Sequence, residues 1–193
     1  MATPLFERNP RHDPRRLTVE LEDTLDREVV RIGGDDLPVP DHHIGMFLTP
    51  LGGGRVAYAD PDLGLAAIGA REGEERTLVV DGAPLALDLS RERLQRFRNV
   101  RVSLERAGLS PVPPPILPAR EPYVFLGYDN VVLERRADGL HVVLPTYGVE
   151  PLDRAAVGAW RALGATVHLI RSEGVVRYGG TVRCLVAPLV RRS

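Results

Sequence analysis

Tyr123-Val124-Phe125-Leu126-Gly127-Tyr128-Asp129-Asn130-Val131-Val132-Leu133-Glu134 is the stretch whose reading decides the fold. Two short runs of β-branched, aliphatic and aromatic residues, 123–126 and 131–134, flank Gly127-Tyr128-Asp129-Asn130 and read as strands. A turn at Ala137-Asp138-Gly139 leads to a third run over 140–145. From 151 to 163 the pattern is helical, opened by Pro151 and stopped by Gly164. Residues 165–170 follow as another strand. Strands that pair in hairpins thus lead through a helix into a further strand, the ββαβ sequence.

The same grammar recurs more loosely upstream. Residues 44–51 and 55–59 read as a hairpin joined by Gly52-Gly53-Gly54, after which Asp60-Pro61-Asp62 breaks the pattern. A second hairpin, 77–80 with 85–89, turns on Asp81-Gly82, a preferred two-residue loop. Ser90 caps a helix over 91–108, with Leu94, Phe97, Val100 and Leu104 on one face. Residues 109–118 contain five prolines and read as an extended connector. The spacing of Leu17, Leu21 and Leu25 predicts a short helix over 17–27, followed by a strand over 28–32. The last strand is expected over 182–189, residues 1–16 as a flexible arm, and 17–193 as a single domain. The fold class is therefore mixed α/β, built of ββαβ modules.

Composition narrows the function. All 25 basic residues are arginine, which excludes a Schiff-base lysine and a Gly-Lys-Ser/Thr phosphate loop. The triple glycine is thus a turn and not a nucleotide cradle. A formal charge of −1 gives no global field for nucleic acid. The arginines of the 91–108 helix (91, 93, 96, 98 and 101) read as a solvated face, and Trp160 as a core anchor. No apolar run approaches the ~18 residues of a membrane helix, and the N-terminus has no apolar signal-peptide region. The single cysteine cannot form an internal disulfide and fits a reducing compartment, so a cytoplasmic location is expected. His42-His43 is not read as a metal pair, because adjacent strand residues face opposite ways and no partner cluster follows. His141 and His168 sit singly in strands and read as structural.

That cysteine, Cys184, lies in Gly179-Gly180-Thr181-Val182-Arg183-Cys184. By composition alone it reads as a small buried residue on a C-terminal strand. The two glycines admit another reading, a tight turn that leaves the thiol facing a pocket. His43, in Asp41-His42-His43-Ile44-Gly45-Met46-Phe47-Leu48, likewise reads either as a core histidine or as a catalyst.

Taken together these pieces resemble the guanidine-modifying (pentein) enzymes: amidinotransferases and arginine or agmatine deiminases. His43-Ile44-Gly45-Met46-Phe47-Leu48 is similar to that family's His-x-Asp strand, and Gly179 to Cys184 to the segment bearing its nucleophile. Tyr128-Asp129-Asn130-Val131 and Leu144-Pro145-Thr146-Tyr147-Gly148 look like its penultimate strands. The resemblance implies a partial pentein, the C-terminal modules of an α/β-propeller. It implies Cys184 as nucleophile, His43 as general acid/base, and Asn130 and Arg183 as substrate-binding residues. The implied reaction passes through a covalent amidino intermediate of a small guanidino compound, without metal or organic cofactor. Gly45 stands where the family has a substrate-binding aspartate. Losing that charge-assisted bond lowers expected turnover of arginine or agmatine by about one to two orders of magnitude. The alternative is a catalytically inactive partial pentein serving as a binding or interaction protein. A ring lacking modules also exposes strand edges, so a homo-oligomer or partner chain is expected.

Overall fold

The computed structural model describes residues 10–121 and 123–187. Helix α1 (Pro14–Leu25) begins where the Asp13 carboxylate accepts the Arg15 and Arg16 amides, with proline at its first position. Residues 14–16 therefore belong to α1 and not to the arm, while residues 1–9 lie outside the described residues. Strands β1 (Leu48–Gly52) and β2 (Arg55–Tyr58) pair antiparallel across the triple glycine, each glycine at positive φ. Helix α2 (Pro61–Ile68) is capped by Asp60, which accepts the Asp62 and Leu63 amides and the Tyr58 hydroxyl. The expected break at Asp60-Pro61-Asp62 is thus a helix start.

Strands β3 (Thr77–Val80) and β4 (Ala83–Ala86) form the second hairpin about Asp81 and Gly82, both at positive φ. Helix α3 (Arg91–Arg106) starts at Ser90 and buries Leu94, Phe97, Val100 and Leu104. It delivers the chain to β5 (Ser110–Val112), which runs parallel to β2. Strand β6 (Ile116–Pro118) then pairs antiparallel with β7 (Phe125–Gly127). The proline-rich connector therefore contributes two short strands. Strands β8 (Val132–Arg136) and β9 (Gly139–Thr146) are antiparallel, and α4 (Glu150–Ala162) crosses to β10 (Ala165–Arg171), parallel to β9.

Sheets β1-β2-β5 and β8-β9-β10 each join a hairpin to a third strand parallel with its second; the crossover is α4 alone in the latter, and α2, the β3-β4 hairpin and α3 in the former. The ββαβ module is thus complete once, over β8 to β10, with an elaborated counterpart at β1-β2-β5, and the class is mixed α/β as expected. The described sheets form no closed propeller. One core gathers around Trp160, Tyr128 and Tyr147, all fully buried, and a second around Phe47, Phe97 and Phe125.

Six expectations need correction. Residues 28–31 form no strand, and Ile44–Met46 is a 3-10 turn preceding β1. β7 and β8 do not pair with one another; they belong to separate sheets. The segment between them offers its carbonyls to side chains: Gly127 O to the Tyr147 hydroxyl, Tyr128 O to the Trp160 indole, Asp129 O to Thr49 Oγ1, and Asn130 O to Thr181 Oγ1. With these acceptors taken, 127–130 is a bridge between sheets. Val182–Leu185 is a 3-10 turn in place of a strand, and residues 188 and 189 lie outside the described ones. The paired histidines also differ from expectation: His141 Nδ1 and His168 Nε2 meet at 3.0 Å across β9 and β10. Two arginines of α3 are not simply solvated either. Arg93 lies 5.2 Å from the Phe125 ring centroid, and Arg98 pairs with Asp62 and Glu72.

Gly64 allows α2 to lie directly on β6. A Cβ there would stand 2.1 Å from the Ile116 carbonyl oxygen, so the helix backbone would have to move. Gly64→Ala is expected to destabilise by about 1–3 kcal/mol and to lower the melting temperature by roughly 3–10 °C. An unchanged melting curve would contradict this packing.

Candidate active site

Cys184 is exposed on the Val182–Leu185 turn and is not sealed on a strand. The preceding glycines explain how. Gly179 ends the Val176–Tyr178 turn at φ 76°, and a Cβ on Gly180 would sit 3.1 Å from Cys184 Cβ and 3.3 Å from its sulfur. Gly180 thus leaves the thiol its space.

Asn130 ties this turn to the rest of the molecule. Its Oδ1 accepts the Arg183 amide at 3.1 Å and the Thr181 hydroxyl at 3.0 Å. An amide donor there requires the oxygen at that position, which directs Nδ2 the other way. Nδ2 donates to Gly45 O at 3.0 Å and lies 3.1 Å from Met46 Sδ and 3.3 Å from Cys184 Sγ. Cys184 Sγ is 3.7 Å from Met46 Sδ. One buried side chain therefore joins the 44–46 turn, the bridge and the cysteine turn, 85 and 54 residues apart respectively.

Arg183 is exposed and donates from Nη1 to Thr49 Oγ1 at 3.1 Å. The same nitrogen lies 4.0 Å from where a Gly45 Cβ would stand, and no other heavy atom is as near. Position 45 thus has room for a side chain, and a guanidinium already borders it. Behind Thr49 lies Asp129, fully buried, with both carboxylate oxygens unpartnered. Burial pushes its carboxyl well above the usual carboxylate range, and nearby Arg183 opposes this only in part.

His43 is exposed on the segment leading into the 44–46 turn, not on a strand. Its ring stacks on His42 with centroids 5.0 Å apart, and His42 stacks in turn on Tyr123 at 4.8 Å. The two histidines thus lie side by side, contrary to the expectation from strand alternation. Burial, then the neighbouring His43, hold the His42 imidazole below its ordinary pKa. No hydrogen bond joins His43 to Cys184. The structure thus brings together Cys184, Asn130 and Arg183, with His43 on the same segment as Gly45 and Met46. Among the described residues no cluster of three or more His, Cys, Asp or Glu is arranged to hold a metal ion.

Sequence reasoning missed Thr49, Thr181 and Asp129. Thr181 had a usable signal, since a threonine after two glycines favours side-chain bonding to nearby backbone. Thr49 and Asp129 had none, because their partners are remote in sequence.

The arrangement of these sheets and helices, with the cysteine turn locked to the 44–46 segment, is shared in fold by solved structures. The solved structures it matches include C. jejuni agmatine deiminase, at a TM-score of 0.64 and 15% identity, covering 95% of this chain and 49% of that one. A cysteine-to-serine variant of C. jejuni agmatine deiminase with substrate bound matches at a TM-score of 0.58 and 16% identity, over 91% and 46% of the two chains. This chain therefore spans about half the length of the structures it matches, and the likeness is one of fold. No family model and no curated protein matches the sequence.

Proposed function

We propose that the chain acts on a small guanidino compound of the arginine or agmatine type, with Cys184 as nucleophile. The observation that carries this reading is the exposed thiol, held by Asn130 against the 44–46 turn on half of a deiminase-like fold. A guanidine carbon is a poor electrophile, so a thiolate must be placed directly over it. The Cys184 thiolate adds to that carbon and forms a C–S bond. A C–N bond then breaks, and the departing nitrogen takes a proton from His43. An amidino-thioether remains on the sulfur. His43 next deprotonates water, which adds to the same carbon and releases the thiolate and the ureido product. In that course the departing nitrogen is ammonia; for amidino transfer it is the substrate's alkylamine, and an acceptor amine then takes the bare amidino group from the sulfur.

Among the described residues the groups beside the Cys184 sulfur are Asn130, Met46 and Gly180, none of them anionic. On this reading the carboxylates that orient a guanidinium come from an apposed chain, in a homo-oligomer or with a partner. Acid-quenched incubation with agmatine or arginine is expected to leave an amidino mass increment on the peptide bearing Cys184. Cys184→Ser removes it, and His43→Ala slows its turnover by about 10²–10⁴-fold. Absence of any adduct, with iodoacetamide labelling Cys184 only after denaturation, would reject the assignment.

A further inference from the structure

A cavity of about 670 Å³ opens beside Gly45 and Arg183; Asn130, Met46 and Cys184 do not line it. Its walls come from the 27–32 segment, β1, β2 and the end of α3. Ile32, Ile44, Leu48, Val56 and Leu104 make it largely aliphatic. Its charged rim is one-sided, with Arg27, Arg55 and Arg183 against Glu28. Arg27 lies 3.6 Å from Asp26. Neither Arg55 nor Arg183 has an ion-pair partner among the described residues; Arg183 meets only the neutral Thr49 hydroxyl. Asp129, the acid behind it, is held toward its neutral form by burial. Glu28 alone does not balance two free guanidinium groups.

We propose that this cavity binds an amphipathic anion, an acyl-chain carboxylate whose head group lies at Arg55 and Arg183 and whose chain runs along Leu48, Val56 and Leu104. The volume falls in the range of small-ligand sites. The aliphatic wall selects for an apolar body, and the unpaired arginines select the sign of the head. The proposal is independent of the chemistry at Cys184, since it needs only the cavity and its charge.

Calorimetry with octanoate, decanoate and decylammonium tests it on the intact chain. Each buried methylene adds about fourfold in affinity, so decanoate is expected to bind roughly fifteenfold tighter than octanoate. Decylammonium is expected to bind at least tenfold more weakly than decanoate. Arg55→Gln, a change at an exposed strand end, is expected to weaken decanoate about tenfold while leaving the melting temperature unchanged. Equal binding of decanoate and decylammonium would overturn the proposal, as would no chain-length dependence on the unaltered protein. Co-sedimentation with phosphatidylglycerol vesicles in the absence of free decanoate binding would also overturn it, and would identify a membrane surface as the ligand.

Discussion

Asn130→Ala is expected to lower the melting temperature by about 6–12 °C. The truncation removes the acceptor for the Arg183 amide and the Thr181 hydroxyl and the donor to Gly45 O. Asn130 is buried at 2% exposure, so water does not simply replace it. A stranded buried polar group costs ~1–3 kcal/mol. With some relaxation of the exposed turn, roughly 3 kcal/mol is lost, and each kcal/mol moves the midpoint by ~2–4 °C in a chain of this size. Asn130→Asp separates scaffold from site. It keeps both acceptor contacts but places a negative charge beside the sulfur, which disfavours the thiolate. Iodoacetamide labelling at fixed pH is therefore expected to slow more than stability falls. A melting temperature within a degree of the parent for Asn130→Ala would show that the two turns are held together by something else.

Asp129→Asn is expected to stabilise the protein increasingly as pH rises. The native carboxyl is held well above its ordinary value near 3.8, chiefly by burial. Between that ordinary value and the raised one, the native state keeps a proton that the unfolded chain has released. The contribution of Asp129 is therefore fully present below about pH 4 and is lost as pH climbs toward the native pKa. The asparagine variant does not titrate. The gap between the two proteins should widen by up to ~1.4 kcal/mol per pH unit across that window. Urea midpoints from pH 4 to pH 8 measure it directly. Parallel curves for the two proteins would mean that the carboxylate ionises in place without penalty.

Much of the architecture was legible because its signals are local. Gly52-Gly53-Gly54 and Asp81-Gly82 supplied backbone angles that only a few residue types adopt readily, and both hairpins formed there. Ser90 and Gly164 marked helix ends within two residues of those observed. The module 132–171 followed from its apolar runs together with the turn at Asp138-Gly139 and the helix signals Pro151 and Gly164. The failures have a different physical origin. Residues 182–189 are a largely apolar run that reads as a strand, yet Arg183 N–H bonds Asn130 and Cys184 N–H bonds Thr181 O. Residues 127–130 look like a turn between paired strands, but their carbonyl partners lie far away in sequence. Cys184, Asn130 and Arg183 stood out through family resemblance, and the structure brings them into one cluster. The placement of His43 on an exposed, stacked segment, and the unpartnered Asp129, depended on contacts that no local pattern encodes.

The carbonyl bridge at 127–130 also bears on when the site forms during folding. Its four side-chain donors close sequence separations of 80, 32, 20 and 51 residues. Local hairpins and helices pay little loop-closure entropy and form early, whereas contacts of this span reward the chain only after both modules exist. The cysteine turn is therefore expected to form late, after the rate-limiting step. Substitutions there act on how fast the native state opens and hardly on how fast it is reached. A chain caught before that step has both sheets and no site, so reactivity of the thiol toward substrate becomes a clock for the last stage of assembly.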